Sequence, residues 1–477
     1  MDAETAASFR DSAARALSDP QLRANFQRAM DGLMTKRLAQ FPDPGDLRDL
    51  RHLSTTIRSR SLLRLPELLE QLEVNCTKNG IQVHWAESCE QANELILGIL
   101  QSKGAKTLVK GKSMVSEEMH LNAFLEGHGI EALESDLGEY IIQLDGETPS
   151  HIIMPALHKN KEQIARQFSQ KIKDAKYTED VDELTALARK VLRQKFLEAD
   201  AGLSGVNFAV AETGTLCLVE NEGNGRMSTH VPPLHIAVMG LEKVVPRLED
   251  VAPLYAILTR SATGQAVSTY LNLISGPRGE GEMDGPQEVH LVILDNGRSR
   301  IHADPQLRAT LRCIRCGACM NHCPVYTRVG GHAYEAVYPG PIGQILTPQM
   351  EGVGARHDLI HASSLCGACA EVCPVEIPIP AILIRLRREA THEDVASKVT
   401  GKGTGRTVSE DWAWRLWAAV LKRPAVYRLA TWFATRFGKA LPASAPLIRN
   451  WTQSRTKPVP ARRSLSERMR AEGDTHV

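Results

Sequence analysis

Hydrophobic and polar positions change their period more than once along this chain. Through Leu47 to Leu72, apolar and charged residues mix at helical spacing, and residues 1–71 read as a helical, surface-lying arm that serves packing or assembly. From Gly80 the texture becomes strand alternating with helix. Ile81 to Trp85 reads as a strand, Cys89 to Leu100 as a helix, Thr107-Leu108-Val109 as a strand and Ser113 to Glu126 as a helix. Apolar runs at Tyr140-Ile141-Ile142 and His151-Ile152-Ile153 continue the pattern. A long helix near Asp182 to Glu198 follows, then runs at Val206 to Val219, Leu234 to Met239 and Val289 to Leu294. Strands separated by helices need crossovers, so residues 72–300 are expected to form one α/β domain with a largely parallel sheet.

Helical sequence then surrounds a dense group of cysteines, from Pro305 to Cys313 and from Ile379 to Glu389. Seven of the ten cysteines lie between Cys313 and Cys373, in two runs that each end Cys-Pro. The first is Cys313-x2-Cys316-x2-Cys319-x3-Cys323-Pro324, and the second is Cys366-x2-Cys369-x3-Cys373-Pro374. Three thiolates at this spacing wrap one face of an iron–sulfur cube, while the fourth, turned away by its proline, reaches the neighbouring cluster. One cluster is therefore expected on Cys313, Cys316, Cys319 and Cys373. The other has Cys323, Cys366 and Cys369 only, because Ser363 stands at the remaining position. It is either a 4Fe–4S cube with one iron held by another group or a 3Fe–4S centre. Zinc would need closed sets of four ligands, and a disulfide framework belongs to short secreted chains, so both rivals fit poorly. The pattern implies an electron carrier. The 42 residues between Cys323 and Cys366 suggest a helical ferredoxin-type module over 301–395, with a Gly/Pro-rich insertion from His332 to Gly354.

Charge adds one exclusion. Fifty-seven basic residues against 56 acidic ones give a net charge of +1, which argues against a general nucleic-acid binder. The start, Met1-Asp2-Ala3-Glu4, lacks the pattern of a signal peptide, and no run approaches 18 apolar residues, so a cytoplasmic protein without a membrane span is expected. Cys76, Cys89 and Cys217 lack ligand spacing and read as reduced, packed thiols. Residues 396–477 open with a polar linker, Ser397 to Glu410, and then turn aromatic and basic. Trp412, Trp414, Trp417, Trp432 and Trp451 fall here, and Trp412 to Ser466 holds eleven Lys/Arg and no acid. Docking of a partner is the preferred role, ahead of self-packing and of peripheral contact with the inner face of a cell membrane.

Other motifs suggest a ligand site in the α/β part. Lys110-Gly111-Lys112-Ser113 stands where a strand ends and a helix begins, a place that favours a carboxylate or phosphate. It lacks the upstream glycine of a Walker A loop. Glu212, Thr213 and Thr215 belong to Ala211 to Leu216, which brackets a strand together with Asn221 to Arg226. Lys110, Lys112, Ser113, Glu212, Thr213 and Thr215 are thus the candidate anion or substrate residues, with capped helices and ordinary turns as the plain alternative. Gly276-Pro277 and Asp284-Gly285-Pro286 form another loop. His322, His332 and His361 lie near the clusters, but none is assigned as a ligand.

With these pieces in place, the chain resembles the lactate utilization protein B family over nearly its whole length. The likeness rests on Lys110 to Ser113, Ala211 to Leu216, Asp284-Gly285-Pro286, Asp295-Asn296-Gly297-Arg298 and the two cysteine runs. The resemblance implies an α/β domain similar to the sugar-isomerase and CoA-transferase fold, a ferredoxin module with two clusters, and a family-specific C-terminal segment. It implies two partners, a cysteine-rich iron–sulfur protein and a smaller α/β-domain protein. A second cluster with three cysteines is part of that pattern. The function it implies is electron transfer in L-lactate oxidation to pyruvate, with electrons passing to the respiratory chain. No flavin or nicotinamide fingerprint accompanies it. Glycolate or another 2-hydroxy acid is an alternative substrate, and a redox sensor is an alternative class, opposed by the lack of a DNA-binding pattern.

Overall fold

Ten strands among the described residues build the α/β part. They are β1 (Ile81–Ala86), β2 (Thr107–Lys110), β3 (Glu131–Glu134), β4 (Ala201–Gly205), β5 (Phe208–Val210), β6 (Thr215–Glu220), β7 (Leu234–Gly240), β8 (Val244–Val245), β9 (Tyr270–Ile274) and β10 (Glu288–Leu294). The computed structural model describes residues 8–390, 408–445, 448–452 and 455–472. The main sheet runs β1-β10-β7-β4-β2-β3, with every neighbouring pair parallel. β7 is buried throughout and β10 nearly so, as continuous apolar runs covered on both faces should be. A smaller mixed sheet runs β8-β5-β6-β9. The β5–β6 hairpin turns at Gly214 (φ 66°), where a Cβ would come within 2.6 Å of the Asn75–Cys76 backbone, so only glycine fits.

Several expected elements differ. Tyr140-Ile141-Ile142 is not a strand but part of the helix Leu137–Leu144, whose N-cap Asp136 accepts from the Glu139 N–H. Its side chains pack with Phe168 and Leu184. A three-residue apolar run has too little length to separate the two periods. His151-Ile152-Ile153 is irregular, because the buried His151 ring accepts from the Ile153 and Met154 N–H groups at 3.0 and 3.1 Å and so competes with strand pairing. The short edge strand β3 was not foreseen. The helix expected from Ser113 to Glu126 is two, Met114–Glu118 and Leu121–Gly127, broken at His120 (φ 50°).

The N-terminal helices form more than a surface layer. Asp19 and Asp43 cap the helices Pro20–Ala39 and Pro44–Leu63, each opened by a proline. Phe26 and Met30 pack with Tyr326 and Tyr334, Phe41 and Ile57 join the core around the cysteines, and Leu68 and Leu72 of the helix Leu65–Lys78 cover the main sheet. The stretch expected as an insertion contains the helix Gly340–Glu351, whose Ile342, Ile345 and Leu346 are fully buried.

The turn Asp295-Asn296-Gly297-Arg298 has a clear structural reason. Asn296 and Gly297 adopt φ of 44° and 83°, reversing the chain after β10 and sending Arg298 into the interior. There its guanidinium donates to Glu118 at 2.7 and 2.9 Å and lies 2.8 Å from a Glu242 oxygen as an ion pair. Tyr338 donates to the same Glu118 at 2.7 Å, tying the α/β part to the cysteine-bearing part. Fully buried Arg58 adds bonds to the carbonyls of Val244 (3.2 Å), Leu311 (3.0 Å) and Arg312 (3.3 Å).

The chain divides into two compact units, Met1–Gly403 and Thr404–Val477. The linker expected from Ser397 lies outside the described residues as far as 407. Within the second unit, the helices Val408–Leu421 and Pro424–Phe437 leave Trp412, Trp417, Phe433 and Phe437 exposed. Arg436 stacks over Trp432 with its guanidinium 4.5 Å from the ring centre. No helix among the described residues is long and apolar enough to cross a membrane.

Candidate iron–sulfur centre and adjoining crevice

The two cysteine runs fold as two copies of one backbone device. In the first, Arg315 and Gly317 take φ of 60° and 75°, and the short helix Ala318–Asn321 follows. In the second, Leu365 and Gly367 take φ of 56° and 89°, and the helix Ala368–Glu371 follows. The left-handed residues curl each loop so that side chains at three-residue intervals face one centre. Backbone N–H groups donate to sulfur: Arg315 to Cys313 at 3.4 Å, Tyr326 to Cys323 at 3.5 Å and Ile377 to Cys373 at 3.3 Å.

A cysteine of the second run joins three of the first. A narrow cavity is lined by Cys313, Cys316, Cys319 and Cys373, closed by Ile152, Ile314, Ile342 and Val375. Burial first, and then like charge on Cys313, pushes the Cys316 and Cys319 thiols far up. Cys373 is pushed up to about 11, again mainly by burial. Cys369 rises to about 12 through burial and then through Cys323, and Cys366 acts on both. Left alone these packed thiols stay protonated, so a positively charged centre is what would hold them as thiolates. Four sulfurs around one enclosed cavity, three of them from a single short loop, suit a polynuclear cluster. Cys319 senses Cys369 as well, so the two sets adjoin.

Arginines that spacing alone did not reveal surround the thiols. Arg37 donates to the Val372 carbonyl at 3.3 Å, and Arg51 to the carbonyls of Cys373 and Ala370 at 3.0 and 3.3 Å. Arg312 donates to the Glu376 carbonyl at 2.7 Å, and Arg58 and Arg315 act electrostatically on Cys313. Three of these five come from the N-terminal helices. Such a cationic shell offsets the negative charge that thiolate-ligated clusters carry. His322 and His332 are spent on the carbonyls of Ala318 and Thr148.

Beside this nest lies a crevice of about 660 Å³ at the carboxyl ends of the parallel strands. It opens where β2 leads outward to β3 while its other neighbour, β4, leads back toward β7, the kind of switch point at which α/β sheets bind ligands. Lys112, Asn207, Glu222, Asp136 and Arg315 line it, with Ile153, Met154 and Leu258 as the apolar wall. Glu222 is exposed as a residue, yet desolvation at the crevice wall and the neighbouring Asp136 raise its carboxyl to about 7. A larger cavity of about 780 Å³ is lined by six glutamates against one arginine and two histidines, a poor surface for an anion.

The candidate anion residues therefore separate. Lys110 is fully buried between Glu117 and Glu134, both at 2.6 Å, with Ser116 Oγ at 3.0 Å. Burial opposes its charge, but the two carboxylates outweigh that and hold the ammonium well above its ordinary range. Ser113 caps the helix that starts at Met114. Lys112 lines the crevice and donates to the Ile153 carbonyl at 2.9 Å. Glu212, Thr213 and Thr215 sit elsewhere, around the β5–β6 turn, where Thr213 and Thr215 bond each other at 2.8 Å and Asn75 and Asn79 grip the turn's carbonyls. Lys110→Met is accordingly expected to cost about 3–5 kcal/mol of stability by stranding the buried Glu134 and half-buried Glu117 carboxylates. Lys112→Ala is expected to leave the unfolding free energy within about 1 kcal/mol of wild type and to weaken anion binding. Denaturant titration together with equilibrium binding of oxalate separates the two outcomes.

Comparison with known proteins agrees with this architecture. Residues 69–294 match the LUD domain, residues 309–377 the 4Fe-4S dicluster domain, and residues 385–474 the C-terminal domain of lactate utilisation protein B. The chain is 41% identical to lactate utilization protein B of Bacillus subtilis, over 97% of this chain and 98% of that protein. It is 44% identical to the protein of that name from Oceanobacillus iheyensis, over 91% of each. A solved structure of a DUF162 family protein from Deinococcus radiodurans, 17% identical, covers 48% of this chain and 98% of its own with a TM-score of 0.28. The 4Fe-4S dicluster match spans the segment that carries the seven clustered cysteines. The chain belongs to the lactate utilization protein B family.

Proposed function

We propose that this chain is the electron-transferring iron–sulfur subunit of an assembly that oxidises L-lactate to pyruvate and delivers the electrons toward the respiratory chain. The observation that carries this reading is the position of Arg315. It stands between Cys313 and Cys316 and also lines the switch-point crevice, so a ligand there lies one residue from the four-thiol set. Bound clusters take up and pass on electrons one at a time. Lys112 and Arg315 give a small carboxylate its counter-charges, and Ile153, Met154 and Leu258 exclude water from one side. The partners in this reading are a cysteine-rich iron–sulfur protein and a smaller protein with the same α/β domain. The test is anaerobic mixing of the reconstituted assembly with L-lactate, D-lactate or glycolate while cluster absorbance is followed. Bleaching by L-lactate supports the reading, bleaching by glycolate alone reassigns the substrate, and bleaching by none overturns it.

The C-terminal unit is proposed to hold the partners. It concentrates Trp and Arg, the residues most enriched at interface hot spots, and leaves Trp412 and Trp417 at 69% and 58% exposure. Removing the residues after Glu410 is expected to leave the iron content unchanged while the partners are lost on co-purification. Full stoichiometry in the truncated assembly contradicts this. Binding of the intact chain to anionic vesicles, abolished above about 0.5 M salt, favours a membrane role instead.

A further inference from the structure

We propose that the Ser363 hydroxyl is the fourth ligand of the second iron–sulfur set, completing Cys323, Cys366 and Cys369. This inference rests on the iron–sulfur reading and adds a ligand to it. The second loop repeats the first in more than spacing. In the first, the N–H two residues beyond Cys313 donates to its sulfur at 3.4 Å. In the second, the N–H two residues beyond Ser363 donates to its hydroxyl oxygen at 3.1 Å. The same pair of left-handed residues follows each, Arg315 and Gly317 in one, Leu365 and Gly367 in the other. The loop is also pinned. Arg387 donates to the carbonyls of Ile360 at 2.8 Å and Ser363 at 3.1 Å, fixing the serine backbone from behind.

The chemistry fits the position. Ser363 is half-buried and Cys366 exposed, so this set opens toward solvent on the serine side, whereas Cys313 and Cys373 are buried. On binding iron the hydroxyl gives its proton to that solvent, and one iron–oxygen bond forms in place of the iron–sulfur bond of the other set. Oxygen is a harder and shorter-reaching donor than sulfur. The corresponding iron is held less firmly than its three thiolate-bound neighbours, and it is the iron expected to leave first on oxidation.

The test uses the full chain reconstituted anaerobically with iron and sulfide, read by iron content, low-temperature EPR and redox titration. Wild type is expected to hold about eight irons. Ser363→Ala is expected to lose one iron on mild oxidation and to show a 3Fe–4S signal, while Ser363→Cys resists the same treatment and shifts the potential of one cluster only. Ser363→Thr, which keeps a hydroxyl, is expected to retain the iron. Exposed Ser364→Ala serves as the neighbouring control and should match wild type. Full retention of iron and an unchanged spectrum in Ser363→Ala would overturn the assignment in favour of solvent as the ligand, and so would a wild-type second set that holds three irons. A chain that takes up no sulfide-bound iron at all defeats the cluster reading itself, a different failure from the loss of Ser363 alone.

Discussion

Cys373→Ser is expected to destroy the cluster built mainly on the first cysteine run, although Cys373 belongs to the second. The reciprocal change, Cys323→Ser, is expected to destroy the cluster of the second run. Cys373 lines one cavity with Cys313, Cys316 and Cys319, and Cys323 acts instead on Cys369, so ligation is expected to cross between the runs. The buried site of Cys373 leaves little room for solvent to replace a lost thiolate, so about half of the iron should go with either substitution. EPR spectra of the two variants, each compared with wild type, identify the cluster that disappears. Loss of the signal belonging to the mutated residue's own run would mean that ligation is not crossed.

Arg298→Met is expected to cost about 3–5 kcal/mol of stability. It strands Glu118 and Glu242, which are buried at the seam between the α/β part and the cysteine-bearing part. Burial alone would raise the Glu242 carboxyl, but Arg298 and Arg315 outweigh it and hold it at about 2. Because the folded value lies below the ordinary 4.5, this stabilisation is complete above about pH 4.5 and is lost as pH falls toward 2. The cluster-free chain should therefore lose resistance to urea across that window, and Arg298→Met should lose much less there, having already lost the pairing. The double variant Arg298→Met with Glu242→Gln should recover part of the loss, since one stranded charge is gone. A shift below about 1 kcal/mol in the single variant would show that the two carboxylates find other partners.

What could be read from the sequence follows from how local each signal is. The cysteine spacings lie within a few residues, so the two runs and the anomaly at Ser363 are legible in the sequence, and the loops that carry them share one backbone pattern. The parallel sheet is legible because β7 and β10 are long apolar runs and β1 and β2 alternate with helical sequence. Tyr140-Ile141-Ile142 was misread because a run of three residues carries no period, and β3 was missed because an edge strand of four residues carries little more. The arginine shell had no local signal at all. Arg37, Arg51 and Arg58 lie more than 250 residues before the cysteines and meet them only through folding. Lys110 and Lys112 stand two positions apart at a strand end, yet one is fully buried between carboxylates and the other faces a crevice. That difference depends on Glu117 and Glu134, brought together by tertiary packing.

The most direct test of the account is the iron, acid-labile sulfide and low-temperature EPR of the anaerobically reconstituted full chain. The account predicts about eight irons with matching sulfide and two distinguishable spin systems, one from the set with four thiolates and one from the set with three. Two zinc ions per chain with no acid-labile sulfide would contradict it.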